Sequence, residues 1–181
     1  MFTRMDEGTK ADWMAIGEAL VEDQPRTADA VLMLLQSLDD VYHGFTGSQL
    51  THCLQSATLA ERAGADDEVV IAALCHDIGK AISTANHPAI AAAILKPYVR
   101  RPVYDMIRVH QDFQGRHYYA HFGADPDARE RHRASLDPDT WALAERFADE
   151  WDQTAFDPDY DTLPLSHFEE RLRTIFSVPP V

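Results

Sequence analysis

The chain has 181 residues, room for one domain with a single sizeable core, and its 45% hydrophobic and 25% charged content is that of a soluble globular protein. A formal net charge of -14 argues against nucleic acid, which requires a basic footprint, and against an anionic membrane surface as partners. No apolar run approaches the roughly 20 residues that span a bilayer, and Met1 to Lys10 lacks an apolar signal core, so the expected setting is cytoplasmic, without nucleic-acid or membrane partners.

In chain order the pattern predicts helix nearly throughout. Residues 9–22 and 26–41 carry apolar positions three and four apart, as in Val31, Leu32, Leu34, Leu35 and Leu38. Tyr42 to Gly47, with two glycines, reads as a turn. Ser48 suits the N-cap of a helix running to Ala63, with Gly64 as its stop. Asp66 and Asp67 open the next helix, where acidic groups favour the macrodipole. Its body, Val69 to Cys75, is apolar all round and therefore buried, and Gly79 is its expected left-handed cap. Pro88 suits the first turn of another helix, and 102–113 forms a further one. Residues 114–126 read as an aromatic, His-rich connection. Helices follow near 127–133, 138–155 and 165–176, with an Asp- and Pro-rich loop from Phe156 to Pro164 and a frayed Val178–Val181 tail. The expected fold class is all-α, a helical bundle.

Cys53 and Cys75, the only cysteines, fall inside apolar helical patterns and read as small buried thiols. The nine histidines carry more. His52 lies inside an amphipathic helix, His76 and Asp77 end the most buried helix, His110 follows Ile107 and Val109, and Asp152 follows Trp151 beside Phe147 and Ala148. Polar groups on core-facing surfaces are costly unless paired. Taken singly, each also fits a satisfied core or surface residue, but a shared metal cluster would satisfy all of them, and imidazole with carboxylate suits Fe, Zn or Mn. Neighbours on a helix point about 100° apart. At a helix end a His-Asp pair can still converge on one cavity, where a two-oxygen carboxylate can bridge two ions. His43, His121, His132 and His167 read as surface residues; His117, in the loop Gln114–Tyr119, stands open between loop packing and substrate contact.

Thr51-His52, His76-Asp77-Ile78-Gly79-Lys80, Asn86-His87-Pro88, Val109-His110-Gln111 and Trp151-Asp152 resemble, in order, the six-ligand, two-metal signature of the HD-domain superfamily. The resemblance implies an all-α HD-type helical bundle with a central dinuclear site. The whole of 1–181 would form one such domain, with its core at about 42–175 and a helical extension at 1–41. It implies that His52, His76, Asp77 and Asp152 hold one ion, and that His87 and His110 hold the other with Asp77 bridging.

Most HD proteins are phosphohydrolases, whereas a smaller branch holds mixed-valence diiron oxygenases. That branch includes myo-inositol oxygenase and the oxygenases that cleave hydroxyphosphonates. Ser48-Gln49-Leu50-Thr51-His52-Cys53-Leu54-Gln55-Ser56-Ala57 is similar to the phosphonate oxygenases around their first ligand, and Tyr42 sits where some of them carry a lid tyrosine. Phe45 replaces their acidic lid residue, and Asp149-Glu150 stands where they have Arg. Their Ser/Thr-rich segment with paired glycines has no counterpart here, and neither has the Gly-Tyr-Pro motif of the cyclic-dinucleotide phosphodiesterases. The resemblance thus implies two iron ions, Fe(II)/Fe(III), and O2-dependent oxidative cleavage of a small hydroxylated, anionic substrate. Asp77, Lys80 and Tyr42 are the expected catalytic residues; Lys80 and Arg116 are the expected anion anchors, and Gln111, Asp112, His117 and Tyr118 the polar contacts. The competing expectation is a phosphohydrolase using the same ligands with Zn, Mn or another divalent ion on a nucleotide or small phosphate ester. The sequence fixes neither the substrate nor the oligomeric state.

Overall fold

Local signals start most of the helices. Thr9 accepts from Asp12 N while Asp12 bonds back to Thr9 N, a capping box that opens α1 (Lys10–Asp23). Ser48 accepts from Thr51 N at the head of α3 (Gln49–Arg62), Asp66 from Val69 N at α4 (Asp67–Cys75), and Asp137 from Asp139 N and Thr140 N at α7 (Pro138–Arg146). Gly64 ends α3 with φ +76°, as expected of a C-terminal glycine. The computed structural model describes residues 2–177; α2 (Arg26–Ser37), α5 (His87–Leu95), α6 (Arg101–Gln114) and α8 (Leu165–Ile175) complete eight α-helices, with no strand among the described residues. The fold is all-α. The tail expected to fray, 178–181, lies outside the described residues.

The centre is α4, in which every residue from Val69 to Cys75 is buried, against α3, α6 and α8. Burying a Val, Ile or Leu side chain stabilises by about 1.5–3 kcal/mol each, so this short helix anchors the bundle although its intrinsic propensity is modest. Leu35, Leu38, Ile78, Leu95, Met106, Ile107, Phe113, Phe147, Phe168 and Phe176 extend the same cluster from α2 to the end of α8. By contrast α1 buries none of its residues, and Met14, Leu20 and Val21 stay exposed on it. No helix among the described residues is long and apolar enough to cross a membrane.

Three departures from the expected elements stand out, two of them at the central cluster of polar residues. The α4 helix stops at Cys75, and Ile78–Ala81 is a 3-10 turn. Gly79 does not adopt the left-handed conformation. It is small because it lies against α5, where a Cβ would come within 2.7 Å of His87 Cα. The stretch near 127–133 is 3-10 rather than α, Ala128–His132. The expected helix at 138–155 divides into α7 and a π-helical turn, Phe147–Asp152, closed by Gln153 N donating to Ala148 O. The wider turn buries Phe147, Ala148, Trp151 and Asp152 together, and such turns gather at functional sites.

Candidate metal centre

Six residues from five elements meet in the interior. His52 comes from α3, and His76 and Asp77 from the turn after α4. His87 comes from the head of α5, His110 from α6 and Asp152 from the π turn, and all six are buried. Each imidazole is turned by a backbone carbonyl that accepts from its Nδ1. These are Ala73 O for His76 (2.8 Å), Thr84 O for His87 (2.8 Å), Ile107 O for His110 (2.7 Å) and Ala155 O for His52 (3.1 Å). A carbonyl can only accept, so each Nδ1 carries the hydrogen and each Nε2 is left as the ligating atom, aimed inward.

The two oxygens of Asp77 face different imidazoles. Oδ2 is 3.5 Å from His52 Nε2 and 3.3 Å from His76 Nε2, while Oδ1 is 3.0 Å from His87 Nε2 and 3.6 Å from His110 Nε2. Asp152 Oδ1 completes the first group, 3.2 Å from His52 Nε2 and 3.5 Å from His76 Nε2. Two sets of potential ligand atoms lie within 4.8 Å of one another, His52-His76-Asp152 and His76-Asp77-His110; His87 joins the second through Asp77 Oδ1.

The donor chemistry fits divalent cations. Asp77 Oδ1, His87 Nε2 and Asp152 Oδ1 are buried without a hydrogen-bond partner, and such orphans are costly unless something satisfies them. His52 Nε2 and His76 Nε2 face each other at 3.0 Å, two acceptors that repel unless a cation or proton lies between them. Without metal, burial disfavours a charged His76, but the carboxylates of Asp77 and Asp152 override it and hold its pKa at about 10. Burial would likewise raise both carboxylates, yet the His76 charge and the imidazoles facing them keep them below the ordinary carboxylate range. For His110 burial wins, and its pKa falls. Lys80 Nζ bonds Asp77 Oδ2 (2.5 Å) and Gln49 Oε1 (2.7 Å), so its charge offsets the shared carboxylate.

A cavity of about 650 Å³ opens onto His52 and His87. Phe45, Phe122 and Phe156 give it aromatic walls, Gln111, Gln114, Gln153 and Tyr118 polar ones, and Lys80, His43, His117 and His121 its basic groups. Although the chain has 30 acidic residues, none of the lining residues is a carboxylate. Phe156 stacks on the His52 ring (centroids 4.3 Å apart), and Phe45 stacks on Phe156 (4.4 Å).

Among the residues expected to meet substrate, Lys80, Gln111, His117 and Tyr118 line this cavity; Tyr42, Asp112 and Arg116 do not. His43 (φ +47°) and Gly44 (φ +87°) turn the chain so that His43 and Phe45 border the cavity while Tyr42 is 51% exposed. Asp112 points away, accepting from His132 Nε2 (2.8 Å) and Tyr119 OH (3.4 Å). Arg116 pairs with Asp149 (3.3 Å), which also holds His117 (2.9 Å) and Arg129 (3.4 Å). His43 and His121, read as surface residues, border the cavity, and His132 is tied to Asp112. Gln114 went unnoticed although it lies one turn beyond His110, a spacing that gives both the same helix face. Phe45, Phe156 and Gln153 had no periodic signal, because loop conformation and the π turn place them.

The HD domain family matches residues 50–157, more than half of the chain and the span from α3 to just past the π turn. The chain belongs to the HD-domain family. Members of this family are generally metal-binding enzymes of the phosphohydrolase type or related to it. No curated protein matches the chain.

Proposed function

We propose that this HD-domain protein is an O2-dependent diiron oxygenase that cleaves a bond beside the hydroxyl-bearing carbon of a small anionic substrate. The observation that carries the reading is the make-up of the cavity. It contains no arginine, and its one lysine is engaged by Asp77. Nucleotides and other polyphosphates are ordinarily held by several arginines or lysines, so this wall of amides and aromatic rings suits a smaller substrate of modest charge. The absence of lining carboxylates keeps the cavity receptive to an anion. The similarity of Ser48–Ala57 to the phosphonate oxygenases points to the same branch.

In this reading His52, His76, Asp77 and Asp152 would hold one ion, and Asp77, His87 and His110 the other. A bound iron pair would supply the electrons and Lewis acidity that O2 chemistry needs. The chain's part is orientation and exclusion. The carbonyl-anchored rings hold every Nε2 in place before loading, and Lys80 stabilises the ionised form of Asp77. Gln111 offers hydrogen bonds to a substrate hydroxyl or anionic group; the Tyr118 O–H is directed at Gln114 Oε1, and burial pushes its phenol up, so it stays protonated at neutral pH. Phe156, stacked on the His52 ring and backed by Phe45, covers that side of the centre against water.

The test is metal analysis of freshly isolated protein, EPR after mild ascorbate reduction, and O2 uptake with a panel of hydroxylated acids. About two irons per chain, a coupled Fe(II)/Fe(III) signal and substrate-dependent O2 consumption are expected. Phosphate release from esters with zinc or manganese, without O2 uptake, would overturn the proposal in favour of the phosphohydrolase reading that family membership supports.

A further inference from the structure

We infer that Gln114 is a positioning residue that fixes the rotation of the Asp152 carboxylate and so aims one of its oxygens at the metal centre. The inference rests on the metal-binding reading above. Asp152 is fully buried, and its two oxygens have separate surroundings. Oδ1 faces the His52 and His76 Nε2 atoms with no hydrogen-bond donor of its own. Oδ2 accepts from Gln114 Nε2 at 2.8 Å. A carboxylate free at both oxygens can turn about its last side-chain bond and chelate with both. The bond from Gln114 to Oδ2 fixes that rotation and leaves Oδ1 as the oxygen aimed at the two imidazoles.

The orientation of the amide follows from its neighbours. Turned over, Gln114 would set Oε1 against Oδ2, two acceptors in contact. As placed, Oε1 accepts instead from Tyr118 OH at 3.3 Å. Gln114 also borders the cavity. One side chain therefore joins the hydroxyl of Tyr118 to a residue that would hold metal. Neither Asp152 nor Gln114 needs a charge change for this; the link is geometric. Groups that orient a metal-holding side chain in this way typically account for about 10- to 100-fold in affinity.

The experiment compares wild-type protein with Gln114→Met, which keeps length but has no amide, by calorimetric titration of the metal-free proteins with zinc. Melting of each metal-free protein checks the fold. Wild type is expected to take two ions, and Gln114→Met to bind one of them about 10- to 100-fold more weakly while the other changes by less than about threefold. Tyr118→Phe, which leaves the amide held by Asp152, is expected to stay within about threefold at both. Two ions bound by Gln114→Met with wild-type constants would overturn the inference, as would equal weakening of both. Wild type binding no pair of ions would instead fail the metal-binding reading beneath it. Should the methionine variant not fold, NMR of zinc-loaded wild type decides: a Gln114 side-chain amide protected from exchange supports the hydrogen bond to Asp152, and an unprotected one refutes it.

Discussion

Replacing Gly79 by alanine tests how the turn after α4 is fitted to the head of α5. A Cβ at this position would lie 2.7 Å from His87 Cα and 2.9 Å from its carbonyl carbon, and closer still to the carbonyl oxygen. All three are backbone atoms, so no side chain can swing aside; α5 or the turn must shift by about 1 Å to restore ordinary contact. Alanine gains about 0.5–1 kcal/mol over glycine in helical backbone, and Gly79 has no positive φ to oppose it. Overpacking costs about 1–3 kcal/mol, and rigid backbone on both sides puts this case at the upper end. A net loss near 2 kcal/mol follows, which lowers the melting temperature of a chain of this size by about 4–8 °C. The shift also moves His87 Nε2, now 3.0 Å from Asp77 Oδ1. Thermal melts in chelator measure the first effect without any metal, and zinc titration measures the second. An unchanged or raised melting temperature for Gly79→Ala would refute the packing argument.

Asp77→Ala is expected to lose both ions, whereas His87→Ala weakens one preferentially; metal analysis after gel filtration separates the two, and full occupancy in Asp77→Ala would refute the bridging assignment. His76 in the metal-free protein holds its proton up to pH about 10, and ligation requires a bare Nε2. Metal binding at pH 8 is therefore expected to release a proton and to tighten as pH rises, read by calorimetry in buffers of different ionisation enthalpy; affinity independent of pH between 7 and 9 would contradict it. Tyr42→Phe is expected to leave turnover and substrate KM within about twofold of wild type, because Tyr42 lies outside the cavity. A tenfold loss there would restore it as a lid residue.

The fold was readable where burial and caps act locally. The all-apolar run Val69–Cys75, the Ser48 and Asp66 caps and the Gly64 stop appear in the structure where the sequence places them. The six polar residues that meet at the centre could be singled out because each interrupts an apolar surface, or falls in an ordered motif, at a place that penalises a lone charge. Less legible were features set by what lies across the fold. Asp149 takes Arg116 out of the cavity by pairing with it from 33 residues away, and helical periodicity is blind to such a partner. The two positive-φ residues that turn Tyr42 outward include His43, whose left-handed backbone has no sequence mark as clear as glycine's. Gly79 shows the opposite confusion: its place after a helix reads as a cap, whereas its absence of side chain serves the approach of α5.

The carbonyl anchors of the four imidazoles differ in reach. For His76, His87 and His110 the anchoring carbonyl lies three residues earlier in the same stretch of chain, so those rings can be set as soon as their own helices form. His52 waits for Ala155, 103 residues downstream, and so for the same segment that delivers Asp152. During synthesis, then, the Asp77–His87–His110 half can be in place while the other half is still short of two parts, one ring orientation and one carboxylate. The arrival of a single stretch, from the π turn to Phe156, supplies both at once and closes an aromatic ring over His52. Completion of the centre is thereby tied to completion of the bundle.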